Sequence, residues 1–341
     1  MSERIEIFKG EREGFNRLIL TSPHSSFLQS IEWGELKSEF GWKAHYLTRS
    51  DVKRAFLILE RKVPLLKRPM VYIPHSYIES GDIELIEEYI RNNIGAFLIK
   101  WEPIEGVDGK IFERDDIRKG RRVQPKTTIL VDISNSMDDV LLRFHQKTRY
   151  NINLAIKRGV EILIENNDDG FNRFYGLLKK TAKRKGFLIH SVSYHKRMYE
   201  IFTSSRMGAI LNAYYQGIIS ASIFVVKFGK TEYYCFGGSE PELARHMPSH
   251  LLHYRAMEWA KENDCSFYDL WGIPENINEK HPSFGLYRFK SGFNGEIVKR
   301  LGAFDQIINK KDFLVFNMLF GMFNFTKNII TRGRSGDPMG G

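Results

Sequence analysis

Cysteine is scarce in this sequence. Its 341 residues contain only Cys235 and Cys265, and two thiols cannot form a disulfide framework or a four-thiolate zinc site. The N-terminal segment is charged from its third residue, which argues against a signal peptide. No apolar run reaches the roughly 18–20 residues that a membrane-spanning helix needs. These absences predict a protein of the reducing cytosol.

Motifs that mark several large enzyme classes are also absent. The sequence has no G-x-S-x-G elbow, no G-x-x-x-x-G-K-[ST] phosphate loop and no G-x-G-x-x-G after a predicted strand. It also lacks the [RQ]-x-x-G-x-[GA] loop with which acetyl-CoA-dependent acetyltransferases bind a pyrophosphate. The corresponding hydrolases, NTPases, dinucleotide enzymes and acetyl-CoA enzymes are therefore disfavoured.

A metal site is not predicted either. His246, His250 and His253 are spaced by four and three residues, but Pro248 separates His246 from the predicted helix start. No carboxylate lies at a suitable ligand spacing. We interpret His250 and His253 as surface or core histidines of a helix.

The composition describes a folded, basic protein. Hydrophobic residues make up 42% and aromatic residues 13%, which excludes disorder over most of the chain. The length suggests two domains. Lys and Arg number 51 against 41 Asp and Glu, a formal charge of +10. This excess favours anionic partners such as phosphates, RNA or acidic membrane surfaces.

The predicted elements form two similar α/β blocks. The first has helices at 11–21, 27–40 and 82–91, and strands at 44–48, 55–63, 69–74 and 96–101. A charged, glycine-containing loop covers 104–124. The second has strands at 127–131, 209–215, 218–228, 232–236 and 266–271, and helices at 137–158, 170–185, 194–204 and 249–262. Phe97-x-x-x-Trp101 and Phe267-x-x-x-Trp271 end the two blocks alike, which favours a duplication.

Several segments, taken in order, carry a family resemblance. They are Phe27-Leu-Gln-Ser-x-x-Trp33, Gln124-Pro-Lys-Thr-Thr-x-x-Val-Asp132, Lys147-Thr-Arg-Tyr-Asn-Ile152, Gly237-Gly-Ser239 with Pro248-x-x-Leu251-Leu252, Ala256-Met-Glu-Trp-Ala260, Tyr268-Asp-Leu-Trp-Gly272 and Leu286-Tyr-Arg-Phe-Lys-Ser-Gly-Phe293. Together they resemble the FemABX family of non-ribosomal peptidyltransferases, over residues 1 to about 308.

The resemblance implies a fold and a function. The fold would be two tandem acetyltransferase-like (GNAT-like) α/β domains, at 1–124 with 305–341 returning to it, and at 125–304. The activity would be transfer of an amino acid from aminoacyl-tRNA to the stem peptide of a peptidoglycan precursor, either lipid II or UDP-MurNAc-pentapeptide. This step builds the interpeptide bridge and implies no metal or organic cofactor. No helical-hairpin insertion interrupts the chain, so it resembles an armless member.

The chemistry of this transfer fits the residues. Aminolysis of an aminoacyl ester needs a neutral amine and a stabilised tetrahedral oxyanion, and the acceptor amine itself attacks. A Ser/His or Cys/His constellation is therefore not required. Two other functions stay open: N-acyl transfer from another acyl donor, and RNA or envelope binding without catalysis.

The resemblance places Lys290 and Phe289 where the acyl end of the donor reacts. An ammonium there would stabilise the oxyanion or the phosphate of the terminal nucleotide. The alternative is a solvated lysine between Phe289 and Phe293. Glu102 matches a position that is acidic in armless members, and is a candidate base for the acceptor ammonium. The alternative for Glu102 is a carboxylate in a salt bridge at the end of a strand.

Other residues are candidates for substrate binding. Arg197 and Lys37 suit the precursor's diphosphate, since paired cations match phosphate oxygens; either is otherwise a solvated charge. Tyr234 and Phe236 match aromatics that line the family's precursor cleft. As alternate residues of one strand they are predicted to share a face, and core packing is the alternative role.

A basic helix is the candidate contact for tRNA. Lys147, Arg149, Lys157 and Arg158 carry its charge, which suits RNA phosphates and is equally typical of a solvated face.

The C-terminal stretch 313–330 predicts an apolar helix with a narrow polar stripe and basic flanks. Such a helix suits peripheral contact with the inner face of an anionic membrane. The alternative is a helix that packs on the first domain. We expect a flexible tail after Arg332.

Overall fold

A computed structural model describes residues 4–49, 51–275, 277–280 and 282–331, with side chains up to residue 321. The chain folds into two compact units. The first contains the residues up to Lys126 together with those from Lys299 on, and the second is Thr127–Val298. The tail predicted after Arg332 lies outside the described residues.

The first unit is built on a twisted sheet. Its elements up to Lys126 are β1 (Ile5–Ile7), α1 (Arg12–Ile19), α2 (Ile31–Glu39), β2 (Lys43–Arg49), β3 (Arg54–Arg61), β4 (Met70–Ser76), α3 (Asp82–Asn93), β5 (Leu98–Pro103) and β6 (Ile117–Lys119), with 3₁₀ helices at Phe27–Gln29 and Gly109–Phe112. Strands β4 and β5 are parallel, and the other pairs are antiparallel.

The second unit has the same kind of layout. Its elements are β7 (Thr127–Asp132), α4 (Met137–Arg143), α5 (Gln146–Lys157), β8 (Val160–Ile164), α6 (Asp168–Lys185), α7 (Val192–Ser204), β9 (Gly208–Tyr215), β10 (Ile218–Phe228), β11 (Thr231–Ser239), α8 (Pro248–Glu262), β12 (Phe267–Gly272), α9 (Phe284–Ser291) and β13 (Glu296–Lys299), with a 3₁₀ helix at Pro241–His246. The sheet order is β13-β7-β12-β11-β10-β9-β8, and β11 and β12 are parallel.

Helices cover both faces of this second sheet. Leu211 and Val225 face α8 and share a core with Met257. Phe224, on the other face, contacts Phe174 of α6. The strands therefore alternate between two buried faces, as the period of two requires.

The chain then returns to the first sheet. Strand β14 (Phe304–Ile307) inserts between β5 and β6, and α10 (Lys310–Thr331) follows it. A buried ion pair fixes the insertion: the Lys100 ammonium donates to Asp305 of β14 and to the Arg121 carbonyl. None of the helices in the described ranges has the length and apolarity to cross a membrane.

Two predicted helices are wrong in detail. The helix predicted at 27–40 is a 3₁₀ turn followed by α2, because Ser30 is extended and its hydroxyl caps α2 by accepting the Trp33 N–H. The helix predicted at 137–158 is α4 and α5. Phe144 and His145 between them are extended, with ψ of 154° and 144°. Phe144 leaves the helix to pack on Phe293.

Five short strands were not predicted: β1, β6, β8, β13 and β14. β1 and β6 have three residues each, and β6 falls within the predicted loop 104–124. β8 has five residues with only its first buried. The alternation in β1 (Ile-Glu-Ile) is too short to predict a strand, and β6 has none. β1, β6 and β8 form because a longer neighbour offers free edge groups: β2, β14 and β9 respectively.

Replacing Asp305 by alanine should strongly destabilise the protein. Lys100 is 2% exposed, and removing its partner leaves a buried charge uncompensated, which costs about 3–5 kcal/mol. Urea unfolding measures the change. Asp312→Ala, which breaks an exposed ion pair with Arg68, is the control and should cost no more than about 1 kcal/mol. Equal effects of the two changes would contradict the role of the buried pair.

Candidate active site in the second unit

Strands β11 and β12 separate part-way along their length. They pair at Thr231–Phe267, Glu232–Tyr268 and Tyr233–Asp269, and no further pair follows in their register. The corresponding parallel strands of the first unit, β4 and β5, keep six pairs, from Met70–Leu98 to Ser76–Pro103. A gap between parallel strands therefore opens in the second sheet.

A bulge in β12 turns backbone carbonyls into this gap. Trp271 has a left-handed φ of 60°, and its N–H donates to the Asp269 carboxylate at 2.7 Å. The register with β7 shifts between Asp269 and Gly272. The carbonyls of Trp271 and Gly272 then accept hydrogen bonds from a side chain, that of Lys290.

Lys290, near the end of α9, is the buried cation of the site. It is 3% exposed. Its Nζ donates to the Gly272 carbonyl at 2.8 Å and to the Trp271 carbonyl at 3.3 Å, and lies 5.5 Å from the ring centroid of Tyr234. Burial lowers the pKa of Lys290 to about 7, with Asp269 acting in the opposite direction. The residue is therefore not the solvated lysine of the alternative interpretation.

A cavity of about 350 Å³ is lined by Tyr234, whose ring contacts this lysine, and by Phe289, its neighbour in the chain. Tyr234, His253 and Phe289 form its aromatic wall, and Arg184 and Lys185 from the end of α6 line it with positive charge. The structure thus brings together Phe289, Lys290 and Tyr234, three of the residues predicted from the sequence.

Two glycines of β11 shape the cavity. A Cβ on Gly237 would lie 2.5 Å from the Tyr234 hydroxyl, and one on Gly238 would lie 2.5 Å from the Leu177 backbone. The first glycine leaves space for the tyrosine, and the second lets α6 approach the strand. Thr181 accepts the Ser239 N–H at 3.1 Å, which ties the same helix to the end of β11.

Tyr234 and Phe236 do not share a face, contrary to the prediction. Tyr234 pairs with Val225, and Phe236 pairs with the preceding residue, Phe224. Cys235 is therefore the extra residue of a β-bulge, which turns the two rings to opposite sides of the sheet. Tyr234 contacts His253 of α8 at 4.6 Å, whereas Phe236 contacts His195 of α7 at 4.7 Å.

Lys37 of the first unit is also a buried cation. It is 2% exposed, and its Nζ lies 5.2 Å and 5.7 Å from the ring centroids of Trp33 and Trp42. Burial, followed by the charge of Arg61, lowers the pKa of Lys37 to about 7. Trp42 in turn contacts Tyr72 at 6.1 Å.

Glu102 lies next along this set of contacts. Its carboxylate accepts hydrogen bonds from the Tyr72 hydroxyl at 2.6 Å and from the N–H groups of Val123 and Gln124 at 3.1 and 3.0 Å. Burial raises the pKa of Glu102, and these three donors oppose the rise. Glu102 is thus held by neutral donors and joins β5 to the segment that leads to β7.

The remaining predicted residues lie on helices. Arg197 of α7 is partly exposed and lies 3.4 Å from Glu200. Arg149 donates to the Leu142 and Phe144 carbonyls at the end of α4, and so has a structural role.

The other three residues predicted to contact tRNA differ in exposure and contacts. Arg158 donates to the Arg245 carbonyl. Lys147 and Lys157 are exposed. No group of three or more His, Cys, Asp or Glu side chains that would suit a metal occurs in the described part of the chain.

His253, like Arg184 and Lys185, lines the cavity and was not predicted as a site residue. Its spacing from His250 was visible, but a helical histidine carries no signal of what its ring faces. The structure buries it, with Nδ1 2.8 Å from the Tyr268 hydroxyl.

Comparison with known proteins identifies the family. The profile of the FemAB family matches residues 114–214 and 207–320, more than half of the chain. The chain belongs to the FemAB family. Among curated relatives of this FemAB protein are the lipid II:glycine glycyltransferases of Staphylococcus haemolyticus, 20% identical over 395 residues, and of Staphylococcus aureus, 22% identical over 398 residues. Each alignment covers 90% of this chain and 93% of the relative. Both alignments are longer than the 341-residue chain, so the relatives contain segments that it lacks.

Solved structures show the FemAB fold. The crystal structure of FemX matches with a TM-score of 0.81 at 19% identity, covering 91% of this chain and 99% of that one. A tandem GNAT protein from the clavulanic acid biosynthesis pathway matches with a TM-score of 0.53 at 10% identity, covering 90% and 99%. The predicted family and the predicted fold of two tandem GNAT-like domains are confirmed.

The close approach of α6 to Gly238 predicts that a side chain at this position destabilises the protein. Gly238→Ala should lower the free energy of unfolding by about 1–3 kcal/mol, because its Cβ meets the α6 backbone and cannot be relieved by a rotamer change. Denaturant unfolding measures the loss. The control is Gly176→Ala, on an open position of the same helix with no atom within 4 Å of the added Cβ, which should raise stability by up to about 1 kcal/mol. A neutral Gly238→Ala variant would show that α6 does not pack as described.

Proposed function

We propose that this FemAB-family protein transfers an amino acid from aminoacyl-tRNA to the stem peptide of a peptidoglycan precursor. The observation that carries the proposal is the buried Lys290 ammonium beside a cavity lined by cations. The names of the curated relatives, lipid II:glycine glycyltransferases, support peptidoglycan bridge synthesis as the setting.

Lys290 has the properties that the reaction needs. When the acceptor amine attacks the ester carbon, negative charge develops on the carbonyl oxygen and must be stabilised. A cation that is excluded from water interacts with that oxygen more strongly than a solvated one. Two backbone carbonyls already hold Lys290 in place, so little reorganisation is required during the reaction.

The rim of the cavity suits the nucleotide end of the donor. Arg184 and Lys185 line the same cavity as Phe289, and their charge matches the phosphates of an RNA 3′ end. Lys147 and Lys157 are exposed and remain candidates for more distant phosphates. Treating the donor with ribonuclease tests its nature: the product should be lost, whereas N-acyl transfer from another donor would continue.

The precursor has its own candidate residues. Lys37 of the first unit and Arg197 of the second are each a candidate contact for its diphosphate, and Tyr234 would contact the part that enters the cavity. Glu102 would act as base towards the acceptor ammonium, because burial favours its taking up a proton. Phe236 faces α7 and is not among the residues that line the cavity, so any contact of Phe236 with the precursor would be outside that cavity.

Lys290→Ala should reduce transfer by about 10²-fold or more, the scale for losing one oxyanion donor. The measurement is product formation by mass spectrometry, with a mixed aminoacyl-tRNA pool and both lipid-linked and UDP-linked precursors. Lys179→Ala, on an exposed face of α6, is the control and should keep wild-type activity.

The pH dependence of transfer by the wild-type protein gives a second test of Lys290. Because the pKa of Lys290 is about 7, its ammonium is lost as the pH rises through neutrality, and stabilisation of the oxyanion declines with it. Wild-type turnover by the alanine variant would remove Lys290 from the mechanism.

We also propose that α10 brings the protein to an anionic membrane surface. Phe316 contacts Phe97, and Arg118 lies over the Phe313 ring, so the start of the helix packs on its own unit as the alternative predicted. Its other side exposes Leu314 and Met318, each 62% accessible. The side chains of the predicted stripe beyond residue 321 lie outside the described ones.

Sedimentation with vesicles tests this contact. The full chain should bind vesicles rich in anionic lipid, less so at high salt, and the double change Leu314→Asp and Met318→Asp should abolish binding. Leu65→Asp, at a leucine that is 85% exposed elsewhere, is the matched control. Equal binding to neutral and anionic vesicles, or binding that persists after the double change, would contradict the proposal.

A further inference from the structure

We propose that His253 donates a hydrogen bond from Nε2 to the substrate in the cavity of the second unit, and that Tyr268 fixes the tautomer which makes this possible. The inference rests on the proposed function for the identity of the acceptor: the carbonyl oxygen of the aminoacyl ester. The tautomer itself can be tested without any catalytic activity.

His253 is buried from bulk solvent but lines the cavity, so a ligand in the cavity can reach it. The residue is 2% exposed and lines the 350 Å³ cavity. Its ring is enclosed by Tyr234, Phe289 and Phe293, with centroids at 4.6, 5.4 and 5.7 Å. Packing of this kind fixes the ring plane, so that a hydrogen on the ring points in one direction.

Its hydrogen bond to Tyr268 determines which nitrogen carries the proton. Nδ1 lies 2.8 Å from the Tyr268 hydroxyl, and a single proton occupies that bond. If Nδ1–H were the donor, the buried hydroxyl proton of Tyr268 would need another acceptor, and none is found among the described residues. An unmade hydrogen bond of this kind costs about 1–3 kcal/mol.

Tyr268 therefore donates to Nδ1, and the proton of the neutral imidazole is on Nε2. The surroundings keep the ring neutral. Burial, then the charges of Lys290 and His250, lowers the pKa of His253 to about 3. Tyr268 stays protonated, since burial raises the pKa of its hydroxyl well above the usual value.

The Nε2–H group has no acceptor within the described part of the chain. Nε2 of His253 is not among the fully enclosed polar atoms that lack a hydrogen-bond partner, so a ligand or water in the cavity that His253 lines can accept its proton. Lys290 and His253 both contact the Tyr234 ring. A carbonyl oxygen in the cavity would then have a neutral donor in addition to the ammonium, the arrangement of an oxyanion site.

Nitrogen NMR on the full chain labelled with ¹⁵N-histidine tests the tautomer. The His253 signals, assigned by their loss in His253→Gln, should show the Nε2–H form from pH 5 to 8. Tyr268→Phe removes only the hydroxyl and should populate the Nδ1–H form. Tyr254→Phe removes the hydroxyl of a buried tyrosine on the same helix as His253, and should leave the tautomer unchanged. An Nδ1–H form in the wild type would overturn the proposal.

A ligand titration tests the contact with substrate. The probe is adenosine carrying an amino acid on its 3′ position through an amide, which keeps the carbonyl and cannot react. At millimolar concentration it should shift the Nε2 resonance of His253 in the wild type. An unmoved resonance would overturn the proposal.

Activity separates this inference from the proposed function. His253→Ala should lower kcat about 10-fold or more, and His253→Gln, which restores an N–H at similar reach, should recover part of the loss. Full activity in His253→Ala would overturn the proposal. A wild type that never transfers an amino acid, but shows the Nε2–H form and the probe shift, would overturn the proposed function and support the donor.

Discussion

The hydrogen bonds of Lys290 to the Trp271 and Gly272 carbonyls are the interaction on which the second unit's site depends. Where β11 and β12 separate, the backbone loses ladder partners, and its carbonyls must be satisfied by other donors. A lysine from α9 supplies them. The same bonds anchor α9 at the open end of the sheet and keep a cation beside the cavity. The gap between the strands and the position of the buried Lys290 ammonium therefore have one structural cause.

The two units use one layout in different ways. In the first, β4 and β5 remain paired, and the end of β5 is held by neutral donors to Glu102. In the second, the corresponding pair opens. Each unit nevertheless buries one lysine with a pKa of about 7, Lys37 between indole rings and Lys290 on carbonyls. A desolvated cation costs free energy in the empty protein and binds an anionic group more strongly when one arrives, which suits both phosphate and oxyanion recognition.

Much of this organisation could be predicted from the sequence, and the limits have physical reasons. The long helices and central strands follow from periodicity, and the order of motifs identified the family. The break at Phe144 could not be predicted, because tertiary packing on Phe293 outweighs local helix propensity there. The bulge at Cys235 could not be predicted either. One extra residue leaves the apolar composition of the strand unchanged, but it turns the side chains that follow to the opposite faces of the sheet.

His253 shows that the hydrogen bonds of a residue indicate its chemical role better than its residue type does. As a helical histidine three residues from another, it is interpreted from the sequence as a surface or core residue rather than a metal ligand. The structure confirms that it is buried, and it also places the ring in the wall of a cavity. Its pKa of about 3 excludes an effective base at neutral pH, and the Tyr268 hydroxyl occupies the nitrogen that a proton or metal would otherwise use. A neutral ring in that state can only donate from its other nitrogen. Burial, which removes the basicity of His253, is thus what makes it a hydrogen-bond donor over the whole physiological pH range.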